Sequence, residues 1–351
     1  MKPRLLVVTT VHPADDPRIR RKLIGSLQDE WAVTFAGVGD GPADRGGLDW
    51  KQLAGVRPLR WLRAARLIFT SRYDVVSLHD PELLPIGIIA ALFGRNVVFD
   101  VHENVPDQIR TKEWLWRPLR RPLAAAFASM LRLAEKKVAI TLAEAGYSTL
   151  FRSPHPVFPN YLMGDLPPVR EADPTVGVVY LGDLTEARGL AVAVAAAGRA
   201  RAGRMSLIGR CSAAFRSRLD SIAAAHDLEL EFHGFLPPDR ALAIAAGAAV
   251  GLSPLLDLPN YRESLPTKVL EYLAVGVPTL TSDLPGTRSV IGARPGVVLV
   301  APGDVIAWSD AIGAAAVDPE LRAAAQGGSA EIRRDFVWPE QAVKEFYRGL
   351  L

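Results

Sequence analysis

Short apolar runs alternate with longer amphipathic segments along the whole chain, and this alternation limits the possible folds more than any other feature. Continuous runs such as RLLVVTT and NVVFDV are typical of strands buried on both faces, as in parallel sheets covered by helices. The pattern predicts strands at residues 4–10, 32–37, 73–78, 96–101, 138–141, 176–181, 205–208, 228–233, 249–253, 279–282 and 297–300. It predicts helices between them at residues 17–28, 61–71, 82–93, 118–133, 190–201, 213–226, 238–247, 266–275 and 305–317.

This α/β pattern runs twice along the 351 residues, which predicts two doubly wound domains in tandem. Residues 1–165 carry 23 Lys and Arg against 17 Asp and Glu, whereas the remainder carries 18 against 21. The charge balance changes sign within residues 153–174, where six prolines interrupt regular structure, so we expect the domain boundary there. Such sheets bind ligands at the carboxyl ends of their strands, which places the chemistry on strand-to-helix loops facing an inter-domain cleft.

Composition excludes several other classes of protein. The apolar content of 49% and the formal net charge of +3 rule out a disordered or low-complexity chain. The single cysteine, Cys211, rules out a disulfide framework and a four-cysteine zinc site. No Gly-x-Gly-x-x-Gly motif follows a predicted strand, which argues against a nicotinamide dehydrogenase. A pI near 9.0 is weak support for nucleic-acid binding at this net charge.

Neither of the longest apolar stretches predicts a membrane span. Residues 83–93 and 241–256 are interrupted by Pro or Gly and fall short of the ~20 residues that a span needs. The apolar run after MKPR is too short for the centre of a signal peptide. We therefore expect a soluble, cytoplasmic protein.

The segment GLSPLLDLPNYRESLPTKVLEYLAVGVPTLTSD, residues 251–283, carries the most specific signal. An apolar strand is followed by a polar loop and by a helix with Pro266 in its first turn. The amino end of that helix, with Lys268 nearby, is suited to a diphosphate because helix amides and the helix dipole favour anions. Glu263 and Glu271 offer carboxylates for sugar and ribose hydroxyls. The alternative is that Glu263 is an exposed loop residue and Glu271 a solvated helical one.

This segment resembles the Glu-x7-Glu region of the retaining glycosyltransferases of family four, the group 1 glycosyl transferases, which have the GT-B fold of two Rossmann-like domains. The likeness rests on Ser264, Pro266, Lys268, Glu271, Tyr272, Ala274, Gly276 and Pro278. Residues 178–190 also resemble the family's donor loop, 157–162 its linker, 232–240 its Gly-containing segment and 336–351 its last helix. The resemblance implies an acceptor-binding domain at 1–165, a donor-binding domain at 166–335, and a helix at 336–351 that returns to the first domain.

The resemblance also implies roles for single residues. Glu263 would contact donor-sugar hydroxyls and His102 would meet the sugar near the reacting carbon, which makes them the implied catalytic residues. The implied donor-binding and nucleotide-binding residues are Gly182, Arg188, Gly234, Ser264, Leu265, Pro266, Lys268 and Glu271. Two residues depart from the family, because Asp183 replaces a cation and Arg188 replaces a lysine. An arginine still grips a diphosphate through two parallel hydrogen bonds, and Lys268 would compensate for the lost cation.

Polar residues also follow three predicted strands of the first half. The predicted acceptor-binding residues are His12, Asp16, His79, Asp80 and Glu103, with Arg18 and Asp100 beside them. The alternatives are helix capping, which Asp80 fits well, and a solvated helix face for Arg21 and Lys22.

The implied reaction breaks a sugar–diphosphate bond and passes the sugar to a hydroxyl of a glycan, a lipid-linked sugar or a small metabolite. The nucleotide-diphosphate-sugar is a co-substrate, and neither a cofactor nor a metal is expected, since no Asp-x-Asp triplet occurs. Retention of configuration follows from the family alone. Two alternatives remain open, namely a GT-B sugar-nucleotide epimerase and a catalytically silent GT-B partner of another transferase.

Residues 112–137 combine Trp114 and Trp116 with a cluster of Lys and Arg. Basic residues beside aromatic ones suit contact with anionic lipid headgroups, so peripheral attachment at the inner face of a membrane is a further expectation. The alternative is a packed helix with an exposed basic face.

Overall fold

The computed structural model describes residues 2–42, 46–70, 72–112, 115–164, 166–173 and 176–351. Among the residues used for the predictions, Ser71, Trp114 and Asp165 lie outside these ranges. The chain divides into two units, one of Met1–Asn160 with Trp338–Leu351 and one of Tyr161–Val337. Within the described ranges, no helix is both long and apolar enough to span a bilayer.

Six parallel strands form the sheet of the first unit. They are β1 (Arg4–Pro13), β2 (Ala32–Val38), β3 (Asp49–Gln52), β4 (Val75–Leu78), β5 (Asn96–Val101) and β6 (Ala139–Leu142). Their order across the sheet is β3-β2-β1-β4-β5-β6, the doubly wound order. Val8 pairs with Leu78, and Leu78 pairs with Phe99. The polar residues that follow β1, β4 and β5 therefore meet at one edge of the sheet.

Helices cover both faces of this sheet, because alternate strand residues point to opposite cores. Leu6 and Val8 enter a core with α2 (Arg57–Thr70), α3 (Leu84–Leu92) and α5 (Arg117–Ala134). Leu5 and Val7 enter the other core with the π-helical segment Pro17–Ile24 and α1 (Gly25–Leu27). The remaining helical segments of this half are α4 (Val105–Thr111) and the 3-10 turns Pro81–Leu83 and Ala145–Leu150.

The second unit repeats this architecture. Its strands are β7 (Val178–Leu181), β8 (Arg204–Ile208), β9 (Glu229–Gly234), β10 (Val250–Ser253), β11 (Thr279–Ser282) and β12 (Val297–Val300). The order β12-β11-β10-β7-β8-β9 is the same doubly wound order, and all pairs are parallel. The direction of winding changes between β7 and β10, which is where such sheets bind ligands.

The helices of the second unit again lie on both faces of the sheet. They are α6 (Leu190–Arg199), α7 (Ala213–Ala224), α8 (Pro238–Ala245), α9 (Pro259–Arg262), α10 (Thr267–Ala274), α11 (Pro285–Ile291), α12 (Val305–Val317) and α13 (Pro319–Asp335). Trp308 fills one core with Tyr180, and Tyr272 fills the opposite core with Leu181. The burial of these aromatic rings fixes α12 and α10 against the sheet.

The last helix, α14 (Glu340–Arg348), belongs to the first unit. Val343 and Tyr347 are buried in the core that contains Leu5, and Trp338 lies with them. The indole nitrogen of Trp338 donates a hydrogen bond to Ser26 Oγ at 2.9 Å. The last helix therefore closes one face of the first sheet.

All the predicted strands are present, and the doubly wound α/β architecture is confirmed. The strand β1 continues to Pro13, so His12 lies on the strand and not in the predicted loop. The strand β3 was missed because Asp49–Gln52 has no apolar run. Pro266 precedes α10 as its N-cap residue, which corrects its predicted place inside the helix. The helices α4, α9, α11 and α13 were also missed.

Candidate functional site

Two cationic side chains converge over Gly182, directly after β7. A Cβ atom built on Gly182 would lie 3.3 Å from Arg188 Nη1 and 3.4 Å from Lys268 Nζ. The φ angle of Gly182 is +116°, which a residue with a side chain rarely adopts. Glycine therefore leaves the space in front of both cations open. The structure brings these three predicted residues together, and their role in binding stays a prediction.

Lys268 is buried on α10, with only 6% of its surface exposed. Its Nζ donates a hydrogen bond of 2.9 Å to the hydroxyl of Tyr180 and lies 4.1 Å from the centre of that ring. Burial, followed by the charge of Arg188, lowers the pKa of Lys268 from 10.5 to about 7. Burial thus disfavours the ammonium form, and a bound anion would stabilise it. Tyr180 was not predicted to belong to the site.

The loop between β7 and α6 is held in place by a close contact at Gly189. This residue has a φ angle of +73° and precedes the first residue of α6. A Cβ atom there would lie 1.8 Å from the carbonyl oxygen of Pro254, in the loop after β10. Only glycine permits this approach, which brings the loops after β7 and β10 together and sets the position of Arg188.

Glu271 lines a cavity of about 150 Å³ together with Gly182, Gly209 and Phe235. The cavity lies at the carboxyl ends of β7, β8 and β9. Gly234, the last residue of β9, is exposed and adopts a left-handed backbone conformation with a φ angle of +68°. Its carbonyl accepts a hydrogen bond of 2.8 Å from the Gly209 amide. Three predicted donor-binding residues, Gly182, Gly234 and Glu271, are thus brought together.

Glu263 lies in the loop between α9 and α10 and is exposed. A Cβ atom on Gly286 would lie 2.5 Å from the backbone of Glu263, so α11 can approach this loop only through a glycine. Ser264 donates to the carbonyl of Tyr261 at 3.2 Å, and Leu265 and Pro266 follow half-buried. The role of Gly286 was missed, since close backbone approach leaves no signal in a single sequence.

The predicted residues of the first unit also come together. His12 Nδ1 lies 3.1 Å from Asp16, and its Nε2 lies 3.6 Å from Asp80. Burial alone would lower the pKa of His12, but the hydrogen bond and charge of Asp16 outweigh it and raise that pKa. Burial raises the pKa of Asp16, yet the hydrogen bond from His12 brings it down to about 2. Asp16 also accepts the Arg18 amide and so caps the following segment.

Asp80 does not cap the turn that follows it, contrary to the capping alternative. Its side chain is buried and accepts hydrogen bonds from the Thr10 amide at 2.5 Å and the Thr10 hydroxyl at 3.2 Å. It thereby joins the ends of β4 and β1. His79 is 2% exposed, so neither residue offers an open surface to an acceptor.

Asp100 and Arg18 form a buried ion pair, so neither offers an open surface to an acceptor. Arg18 Nε and Nη2 donate to the two carboxylate oxygens at 2.9 and 2.8 Å. Arg18 Nη1 donates to the carbonyl of Phe158 at 2.8 Å. Burial favours the protonated acid, but the Arg18 charge outweighs it and holds the pKa of Asp100 well below its usual range.

His102 lies at the end of β5, with His79 and Asp100 as its neighbours. Its Nε2 is 2.7 Å from Asp100 Oδ2 and 3.1 Å from His79 Nδ1. Among the described residues these three side chains form a cluster that could hold a metal ion. The guanidinium of Arg18 already neutralises the carboxylate, so hydrogen bonding accounts for the short distances. Glu103 is exposed and accepts from Gln108 at 2.5 Å.

Comparisons with known proteins agree with this architecture. Residues 175–318 match the family model of the group 1 glycosyl transferases. A D-inositol 3-phosphate glycosyltransferase of Xylanimonas cellulosilytica is 33% identical over 85 residues, which cover 24% of this chain and 20% of that protein. Sucrose-phosphate synthase of Thermosynechococcus elongatus superposes with a TM-score of 0.76 and 17% identity, over 100% of this chain and 99% of that chain. Anabaena HepE, in complex with UDP and glucose, gives 0.73 and 12% identity over 99% of each chain.

Proposed function

We propose that this chain, which belongs to the group 1 glycosyltransferases with the GT-B fold, transfers a sugar from a nucleotide-diphosphate-sugar to a hydroxyl acceptor. The observation that carries the proposal is the convergence of Arg188 and Lys268 over Gly182. Two cations beside an open glycine suit a diphosphate, which carries charge on both phosphates. Solved structures of HepE hold UDP or UDP-glucose, which supports a nucleotide sugar as donor.

The nucleotide would bind at the ends of β7, β8 and β9. Glu271, in the cavity there, would accept hydrogen bonds from ribose hydroxyls, and the exposed Glu263 would accept them from the sugar. Carboxylates suit this task because they accept several hydrogen bonds at once. A hydrophobic wall from Phe235 and Leu236 would contact the base.

The reaction would break the bond between the anomeric carbon and the diphosphate and form a bond from that carbon to the acceptor oxygen. The proton of the acceptor hydroxyl would pass to the leaving phosphate. Negative charge grows on the diphosphate as its bond breaks, and Arg188 and Lys268 would stabilise that charge more strongly than the ground state. Retention of the anomeric configuration, taken from the family, would be read by NMR of the first product formed.

The first unit would bind the acceptor, with His12 and Glu103 as the contacting side chains, and His102 would meet the donor sugar near the reacting carbon. We propose that transfer needs no metal, because Arg188 and Lys268 supply the charge that a divalent cation would otherwise provide. EDTA is therefore expected to leave activity intact. A complete loss of activity that Mn²⁺ restores would refute this part of the proposal.

Peripheral contact with an anionic membrane, through residues 112–137, is part of the same proposal. The helix α5 contains no acidic residue. Leu119, Leu123 and Leu133 are exposed on it, and its N-cap residue Trp116 is exposed as well. The helix α2, on the same face of the sheet, carries four arginines, no acidic residue and the exposed Leu62. A reducing cytoplasm suits the single free cysteine, Cys211.

The membrane contact would be measured by sedimentation with vesicles of phosphatidylcholine alone or with phosphatidylglycerol. Binding only to the anionic vesicles, weakened at least fivefold by Leu119→Ser with Leu123→Ser, is the expected result. Val317→Ser, at an exposed site in the second unit, is the control. Equal binding to both vesicles, or none, would contradict the contact.

The donor is tested by a thermal-shift screen against UDP-, GDP-, ADP- and dTDP-sugars, followed by calorimetry. Glu271→Ala is expected to weaken the binding of the selected donor at least tenfold. Glu320→Ala, on the exposed start of α13, is expected to leave it unchanged. Unchanged affinity in Glu271→Ala would remove this residue from the site.

Transfer itself is tested with the selected donor and a panel of hydroxyl acceptors. A glycosylated product supports the proposal. Conversion of the donor to an epimer without acceptor would identify an epimerase, and donor binding without turnover would identify a silent partner. Either outcome would overturn the proposed transfer.

A further inference from the structure

The carboxylate of Asp100 is surrounded by hydrogen-bond donors. Its Oδ1 accepts from Arg18 Nη2 at 2.8 Å and from Thr141 Oγ1 at 2.9 Å. Its Oδ2 accepts from Arg18 Nε at 2.9 Å and lies 2.7 Å from His102 Nε2. An ionised carboxylate can only accept hydrogen bonds, so the hydrogen in the last contact belongs to His102 Nε2.

The tautomer of His102 follows from this contact. A neutral imidazole carries one hydrogen, and a hydrogen on Nε2 leaves a lone pair on Nδ1. We propose that Asp100 is a positioning residue that holds His102 as the Nε2–H tautomer, so that Nδ1 accepts a hydrogen bond from a hydroxyl of the bound sugar or acceptor. The nature of that hydroxyl rests on the proposed function, whereas the tautomer rests on the geometry of the first unit alone.

His79 supports this assignment through a chain of hydrogen bonds from the last helix. The Tyr347 hydroxyl lies 2.9 Å from Ser77 Oγ, which lies 3.2 Å from His79 Nε2. His79 Nδ1 lies 3.1 Å from His102 Nε2, so a hydrogen on the His102 nitrogen requires a lone pair on His79 Nδ1. The hydrogen of a neutral His79 is then on Nε2, which donates to Ser77 Oγ, and the Ser77 hydroxyl donates to Tyr347. Burial lowers the pKa of His79, which favours its neutral form. His79 Nδ1 is then an acceptor and does not compete with His102 Nε2 for the carboxylate of Asp100.

Arg18 completes the arrangement by neutralising Asp100. An unpaired buried carboxylate beside an imidazole would favour the imidazolium, which has no lone pair. The two hydrogen bonds from Arg18 place a compensating positive charge on the opposite side of the carboxylate. The ion pair thus orients His102 and leaves its Nδ1 free to accept.

The tautomer is measured directly by ¹⁵N NMR of the imidazoles in the full chain at pH 8. The six histidines are few enough to assign by comparison with His102→Gln. The expected result for His102 is a pyridine-type resonance for Nδ1, a pyrrole-type resonance for Nε2, and a slowly exchanging Nε2 proton. A pyrrole-type Nδ1, or an imidazolium with both nitrogens protonated, would overturn the proposal without any activity measurement.

A double variant, Arg18→Met with Asp100→Leu, removes both buried charges together and so avoids an unpaired one. It is expected to lose the slowly exchanging Nε2 proton and to average the two nitrogen resonances. The matched control replaces the exposed ion pair of the same unit, Arg110→Met with Asp107→Leu, and should leave the His102 spectrum unchanged. An unchanged His102 spectrum in the first variant would overturn the role of Asp100.

Two substitutions of His102 separate its nitrogens once donor and acceptor are known. Asparagine places its oxygen near the position of Nδ1, whereas glutamine reaches the position of Nε2. His102→Asn is expected to keep at least tenfold more kcat than His102→Gln, with an unchanged KM for the donor. Equal or reversed losses would overturn the role of Nδ1, even where the donor screen supports the proposed transfer.

Discussion

Donor binding is expected to take up a proton, because Lys268 is largely neutral in the free protein above pH 7. Burial and the charge of Arg188 lower the pKa of this lysine from 10.5 to about 7. A diphosphate placed over Gly182 would face both cations, and its negative charge would favour the ammonium form. The bound state therefore has a higher pKa for Lys268 than the free state, and protonation is linked to binding.

The size of the effect follows from that pKa. At pH 8, a group with a pKa of 7 is protonated in about one molecule in eleven, so binding would take up about 0.9 protons. If the bound lysine stays charged throughout, the apparent Kd rises about 25-fold between pH 6.5 and pH 8.5. The sign is definite, since affinity falls as the pH rises through the pKa of the free protein.

Calorimetry with UDP-glucose, or with the nucleotide sugar that the screen selects, tests this linkage. Titrations at pH 8 in two buffers of different ionisation enthalpy give the number of protons taken up. Lys268→Arg keeps its charge and is expected to bind with no proton uptake and a flat pH profile. A constant Kd between pH 6.5 and 8.5 in the parent protein, with no proton uptake, would refute the reasoning.

Three further changes have definite expected outcomes. Arg18→Met leaves Asp100 buried without its partner and should lower the unfolding free energy, measured in urea, by about 3–5 kcal/mol. Arg21→Met, at an exposed residue of the same segment, should lower it by less than about 0.5 kcal/mol. Equal losses in the two variants would refute the buried pair. Because Arg18 lowers the pKa of Asp100, the stability that the pair contributes is full above the unfolded value of 3.8 and is lost as the pH falls through the lower folded value. The difference in unfolding free energy between the parent and Arg18→Met should therefore shrink at acid pH. Gly189→Ala should weaken donor binding at least tenfold, and unchanged calorimetry would contradict the close contact there. Trp338→Ala should lower the unfolding free energy of the first unit by about 3–5 kcal/mol. Faster amide hydrogen exchange of the β1 residues would detect this loss.

The parallel sheets could be predicted because their strands are buried on both faces and therefore form continuous apolar runs. The edge strand β3 could not, since Asp49–Gln52 is largely exposed and its pairing with β2 depends on the neighbouring strand. Helix α9 is equally short and has no buried residue. Elements that bury little apolar surface leave little pattern in a sequence.

The candidate site was predicted in part. The assignment of Gly182, Arg188, Lys268 and Glu271 to one site follows from motif resemblance, and the structure places the other three residues around Gly182. The pairing of Arg18 with Asp100 could not be predicted, because these residues are 82 positions apart in the sequence. The sequence around each of them alone indicates only an exposed polar residue. The same holds for Tyr347, whose hydroxyl reaches Ser77 across 270 positions.

The placement of α14 also sets the order in which the two units can complete their folding during synthesis. Trp338, Val343 and Tyr347 emerge from the ribosome only after residues 161–337 have been made. The usual sequence, in which the N-terminal domain finishes first, is therefore reversed. The second unit can fold while Leu5 and Trp31 are not yet covered by the last helix. A chain that stalls at this stage exposes these apolar residues to the chaperones and proteases of the cell.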